Sequence, residues 1–245
     1  MVLPRKARQA FGEKAGRLPV MMEKGELMKN QYILFDLDGT LTDPKEGITK
    51  SVQYALAKMG IAVDDPDTLC PFIGPPLAES FQKFYQMNEE ESLLAVKNYR
   101  EYFSVRGIFE NEVYEGIPEM LKALQEAGRT LIVATSKPTD YAERILEHFQ
   151  LDDYFDFVAG ATMDGSRVRK QDVIQYALEE LELIDLSELV MVGDRMHDIL
   201  GAKEFDIPTI GVLYGYGSRE ELEKAGAEEL AKSVKDLQEL LLEED

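Results

Sequence analysis

The first sustained apolar pattern is Tyr32-Ile33-Leu34-Phe35, which stops abruptly at Asp36-Leu37-Asp38-Gly39-Thr40. Four apolar positions without polar alternation predict a strand buried on both faces, delivering carboxylates to a glycine-containing turn. The period then lengthens. Ile48, Val52, Ala55, Leu56 and Met59 share one helical face, predicting a helix over about 46–59 that Gly60 ends. The segment Pro71-Phe72-Ile73-Gly74-Pro75-Pro76 is too rich in proline for regular structure. Helices are expected at about 77–87 and 89–106, the second opened by a capping box of Asn88 and Glu91 and closed by Gly107.

From about 117 onward, helical stretches alternate with short apolar runs. A helix at about 118–127 precedes strand 130–134, and a helix at about 139–149 precedes strand 155–159. A helix at about 170–182 leads to strand 189–192, one at about 196–205 leads to strand 209–213, and two helices end the chain. Such an order predicts an α/β fold, a parallel sheet with helices on both faces. Residues 29–43 and 116–245 form the expected core, and 44–115, without a clear strand, a small inserted helical cap. Residues 1–28 are basic and broken by Pro4, Gly12, Gly16, Pro19 and Gly25, the pattern of a flexible extension.

Charge narrows the partners. The chain carries 27 Lys and Arg against 47 Asp and Glu, a net charge of −20. The first 30 residues oppose this, with seven basic residues against three acidic ones. So acidic a body disfavours nucleic-acid polymers and anionic membranes, but screening over about 8 Å leaves small anionic substrates allowed. No apolar run approaches the roughly 20 residues of a membrane span, and no leader pattern opens the chain. One cysteine, Cys70, and two histidines make a Cys/His zinc site and an internal disulfide untenable, and a reducing cytoplasm is the expected compartment.

Candidate chemistry gathers at predicted strand ends, where open α/β sheets bind ligands. Asp36 and Asp38 follow the first strand, and Gly39 permits an unusual turn between them and Thr40. Asp194 and Asp198, in Gly193-Asp194-Arg195-Met196-His197-Asp198, are four apart and share a helix face if the helix starts near 195. In isolation Asp194 reads equally well as a helix cap. Two like charges 4 Å apart repel by about 4 kcal/mol at an effective dielectric of 20. Four converging carboxylates therefore call for a hard cation with oxygen ligands, Mg²⁺. Thr135 and Ser136 follow a third strand and suit phosphate oxygens as well as a capping role. Lys170 opens a later helix and is the choice for a fixed cation beside a phosphoryl group, with Lys137 and Arg169 as rivals.

Together, Asp36-Leu37-Asp38-Gly39-Thr40, Thr135, Lys170 and Gly193-Asp194 through Asp198, in that order, resemble the haloacid dehalogenase superfamily over about 32–240. Gly74-Pro75-Pro76 and Tyr214-Gly215-Tyr216-Gly217 resemble its phosphoglycolate phosphatase and 5′-nucleotidase-like members. The resemblance implies a Rossmann-like core and a Mg²⁺-dependent phosphatase acting on a small phosphorylated metabolite through an aspartyl phosphate. It makes Asp36 the nucleophile and a metal ligand, and Asp38 the acid/base whose backbone carbonyl also meets the metal. Gly39, Thr40, Thr135, Ser136 and Lys170 would surround the phosphate, and Lys170 would also steady the nucleophile. Asp194 would bind Mg²⁺, and Asp198 would do so directly or through water. A sugar phosphomutase would use the same residues. A dehalogenase would need neither Asp38 nor a metal, and a receiver-like signalling module would gain nothing from an acid/base at Asp38.

Overall fold

The computed structural model describes residues 30–183 and 185–243; the basic extension expected over 1–28 lies outside them. Six strands form a parallel sheet in the order β5-β4-β1-β6-β7-β8. They are β1 (Tyr32–Phe35), β4 (Thr130–Pro138), β5 (Phe157–Ala161), β6 (Leu189–Gly193), β7 (Thr209–Val212) and β8 (Glu229–Ala231). Strand alternation sorts their side chains onto two faces. Ile33, Phe35, Leu131 and Val133 pack on one side with Met120 and Leu124 of α4 (Ile117–Glu126) and Leu237 of α9 (Val234–Leu242). Leu34, Ile132 and Met191 pack on the other with Val173 and Ile174 of α6 (Lys170–Glu180) and Ala202 of α7 (Met196–Lys203). Because both faces are covered, the strands read as unbroken apolar runs.

Three α-helices fill the insert between β1 and α4, their buried side chains continuous with the core on the Ile33 and Phe35 face of the sheet. They are α1 (Lys45–Lys58), α2 (Leu77–Tyr85) and α3 (Glu89–Tyr102). The expected capping box is present: Glu91 N–H donates to Asn88 Oδ1 at 3.0 Å, and Asn88 N–H donates to Glu91 Oε2 at 2.9 Å. Where the insert joins the core, Gly47 meets Gly107 so closely that a Cβ on Gly47 would overlap the Gly107 carbonyl.

Several expectations need correction. The helix expected over 89–106 is α-helical only to Tyr102 and widens into a π turn, Phe103–Gly107. Pro71 and Phe72, expected to be irregular, close a 3₁₀ helix, Pro66–Phe72. The insert is not free of strand: β3 (Glu112–Val113) pairs antiparallel with β2 (Thr42–Asp43), tying together its two connections. The strand expected over 155–159 starts two residues later, because Phe155 ends a 3₁₀ turn and packs edge-on to Phe35. A short edge strand, β8, precedes the last helix; its exposed Glu229 hides it from any apolar pattern. α5 (Thr139–His148) connects β4 to β5, and α8 (Arg219–Ala225) connects β7 to β8.

Candidate active site

Parallel pairing of β4, β1 and β6 brings three carboxyl ends side by side, and each carries chemistry. Asp36 leaves β1 with its N–H still donating to Val192 O of β6 at 2.9 Å. Asp194 follows β6, and Asp198 lies in the first turn of α7. One carboxylate oxygen from each of Asp36, Asp194 and Asp198 lies within 4.8 Å of the others, all three residues being buried. Asp38 is buried too, but its carboxylate is not among them.

Lys170 sits beside this triad. Its ammonium lies 2.9 Å from Asp36 Oδ1, 2.7 Å from Asp198 Oδ1 and 2.8 Å from Ala134 O. The bond to Ala134 O is a hydrogen bond, whereas the two carboxylates meet the ammonium as ion pairs and Asp36 Oδ1 has no hydrogen-bond partner. A cation at the first position of a helix works against the helix dipole, so the two carboxylates must hold it there. Burial pulls the Lys170 pKa down, yet Asp198 and Asp36 outweigh it and raise the value above that of a free lysine. Of its rivals, Lys137 occupies a different place, and among the described residues Arg169 forms no ion pair with the triad. A bulge in β4 between Thr135 and Pro138 re-aims Lys137, which ion-pairs with Asp38 Oδ2 at 2.9 Å beneath the Phe103 ring, 4.5 Å from its centre.

The carboxylates are not fully satisfied. Asp194 Oδ2 accepts from Tyr216 N–H at 2.7 Å, while its buried Oδ1 has no hydrogen-bond partner. Asp38 Oδ1 is likewise buried without one. Asp198 Oδ2 accepts from Arg195 N–H at 3.0 Å and Oδ1 faces Lys170, so both oxygens are engaged. Burial, then the neighbouring Asp198 and Asp36, raises the Asp194 pKa well above the carboxylate range. Burial also lifts Asp198 to about 6 against the pull of Lys170, and lifts Asp38 against that of Lys137. Two ammonium groups face four buried carboxylates, and the excess negative charge, an orphaned acceptor on Asp194 and the all-oxygen donor set fit a hard divalent cation.

Close approach explains two glycines. Gly39 has φ +85°, and a Cβ there would overlap Asp194 Oδ2; a Cβ on Gly215 would overlap the Gly39 carbonyl. Thr40 is fully buried, its hydroxyl without a hydrogen-bond partner and its carbonyl accepting from Tyr214 Oη at 3.0 Å. Thr135 is 2% exposed, its Oγ1 accepting from Lys137 N–H at 3.3 Å. A cavity of about 390 Å³ opens between the insert and the strand ends, lined on the core side by Asp38, Ser136 and Lys137 and on the insert side by Phe72, Tyr99 and Phe103. Arg100, one of seven basic residues of the insert that composition alone cannot rank, lines it beside Lys97. Arg195 and Tyr216 were not among the expected site residues; their backbone N–H groups carry no sequence signal.

The chain matches the family model described as haloacid dehalogenase-like hydrolase over residues 33–212. It is 50% identical over 190 residues to a 5′-nucleotidase from Pseudomonas aeruginosa, covering 78% of this chain and 86% of that protein. It is 42% identical over 195 residues to tyrosine-protein kinase PtkA from Mycobacterium tuberculosis, covering 79% of this chain and 66% of that one. The crystal structure of a predicted phosphatase from Clostridium acetobutylicum superposes with a TM-score of 0.85 at 49% identity, covering 89% of this chain and 99% of its own. The chain belongs to the haloacid dehalogenase-like hydrolase family, among its phosphatases.

Proposed function

We propose that this enzyme hydrolyses small phosphomonoesters, nucleoside 5′-monophosphates foremost, in a Mg²⁺-dependent reaction with an aspartyl-phosphate intermediate on Asp36. The buried triad of Asp36, Asp194 and Asp198 with Lys170 against it is the observation that carries this reading. Asp36, Asp194 and the backbone carbonyl of Asp38 would hold Mg²⁺. Asp198, with both oxygens already engaged, would act through water. When bound, Mg²⁺ offsets phosphate charge so that an anionic carboxylate can approach it.

Asp36 forms a bond to phosphorus as the bond to the leaving oxygen breaks, and protonated Asp38 delivers its proton to that oxygen. Asp38 then takes a proton from water, whose oxygen displaces Asp36 and frees phosphate. Lys170, ion-paired with both Asp36 and Asp198, would fix the direction of the Asp36 carboxylate. Gly39, Thr40, Thr135 and Ser136 would surround the phosphate, and Lys137, paired with Asp38, would line the same cavity.

The cavity supports the substrate class. At about 390 Å³ and with walls such as Phe72, Leu77, Val96 and Phe103, it suits a nucleoside better than a group as small and charged as glycolate. The 50% identity to a 5′-nucleotidase supports the same choice. The partner would then be a small phosphorylated metabolite in the cytoplasm.

Metal-stripped protein offered nucleoside 5′-monophosphates, phosphoglycolate and a sugar phosphate should release inorganic phosphate only once Mg²⁺ is restored, and fastest from a nucleotide. Turnover undiminished by exhaustive chelation would overturn the reading. So would conversion of the sugar phosphate to an isomer without phosphate release, or ATP-dependent phosphorylation of tyrosine in place of hydrolysis.

A further inference from the structure

Arg195 belongs to two layers of the molecule at once. Its backbone N–H holds Asp198 Oδ2 at 3.0 Å, inside the carboxylate triad. Its side chain reaches the other way, donating from Nη1 to the carbonyl of Ile73 at 2.6 Å, in the loop that leads to α2. Glu221 of α8 fixes the arm between, accepting from Arg195 Nε at 2.9 Å and from Met196 N–H at 3.0 Å. Gly74, φ +100°, lies flat against the arginine stem, where a Cβ would press on Arg195 Cγ. Gly74, Pro75 and Pro76 line the cavity, so whatever seats this loop shapes the space for substrate.

We propose that Arg195 is a positioning residue that couples the seating of the Ile73–Pro76 loop over the cavity to the aim of Asp198. The coupling runs through one residue's backbone and side chain, which are covalently joined and held on both sides. An incoming nucleoside pressing on the loop would shift the guanidinium, and with it the amide on which Asp198 rests. A substrate too small to reach the loop would leave the coupling idle. The inference rests on the nucleotide reading above only for its choice of substrates.

The test compares Arg195→Ala and Arg195→Lys with the parent protein on a nucleoside 5′-monophosphate and on acetyl phosphate, which does not fill the cavity. Arg195→Ala should lose at least tenfold more kcat/KM on the nucleotide than on acetyl phosphate, and Arg195→Lys, which retains a donor for Ile73 O, should recover part of that ratio. Hydrogen exchange on the metal-free protein supplies a readout independent of turnover. In Arg195→Ala, protection should fall both at Ile73–Leu77 and at the first turn of α7, with the amides of β1 unaffected. Glu221→Gln, which keeps an acceptor but removes the charge, should show the same pattern more weakly and serves if Arg195→Ala does not fold. Equal losses on both substrates, or exchange changes confined to one of the two segments, would overturn the coupling. A parent protein inactive on every phosphate ester would overturn the functional reading and leave the exchange result standing.

Discussion

Lys170 and Asp36 meet at 2.9 Å, one at the start of α6 and the other just beyond β1. Their contact brings a cation to the carboxylate that should attack phosphorus. Asp198, 2.7 Å from the same ammonium, completes a buried unit in which each charge depends on the others.

Replacing Lys170 by Met should therefore do more than slow turnover. It leaves Asp36 and Asp198 buried without their cation, a loss of roughly 3–5 kcal/mol for a broken buried pair. Urea unfolding in chelator should show a lower midpoint with an unchanged slope. A midpoint equal to the parent's would mean the pair contributes nothing to the fold.

Metal binding is readable without catalysis. Mg²⁺ at about a hundred times its Kd should add about 2.7 kcal/mol to stability, a rise in Tm of roughly 5–10 °C at about 2–4 °C per kcal/mol. Asp194→Asn replaces a proposed ligand whose Oδ1 has no hydrogen-bond partner, and should abolish most of that rise. The melting curves of the parent with and without Mg²⁺ decide it; no shift at any concentration would remove the metal from the mechanism.

Gly39 should tolerate no side chain. Gly39→Ala meets both a left-handed backbone, worth about 1–2 kcal/mol, and the Asp194 carboxylate that fills the space of a Cβ. Activity and the Mg²⁺-dependent rise in Tm should fall together. Full activity in this variant would show that Asp194 moves freely.

Arg100 lines the cavity, and its Nη1 donates to Met163 O at 3.1 Å, whereas Arg106 is exposed and does not line it. Arg100→Ala should change relative kcat/KM among phosphate esters by tenfold or more, and Arg106→Ala by far less. Proportional losses on every ester would assign Arg100 to the fold instead.

Asp38→Ala separates the two aspartates of the first turn. It keeps Asp36 and the main chain of residue 38 but removes the proposed proton donor, a contribution of about 10²- to 10⁴-fold. Alkyl phosphates should fail in the first step. An aryl phosphate with a stable leaving anion should give a burst of phenolate near one equivalent, then stall, with phosphate on Asp36 by mass spectrometry. Equal turnover of alkyl and aryl esters at the parent's rate would refute the acid/base role.

Burial on both faces is written into each strand separately, which is why β1, β6 and β7 and most helices could be placed from periodicity. Asp36, Asp38, Asp194 and Thr135 were legible for a related reason: each lies within three residues of the end of an apolar run, where a polar side chain breaks the pattern. What periodicity does not contain is which strand lies beside which. The order β5-β4-β1-β6-β7-β8 sets β1 between β4 and β6, and only that neighbourhood brings Asp36 to Asp194 and the carbonyl of Ala134 to Lys170. Lys170 opens α6 whatever it touches, so its pairing with Asp36 and Asp198, and that of Lys137 with Asp38, was decided by packing at long range. The same holds for Arg195 and Tyr216, which hold carboxylates through backbone N–H groups that every non-proline residue possesses. Local pattern reports how deeply a residue is buried, and tertiary structure alone decides what it is buried against.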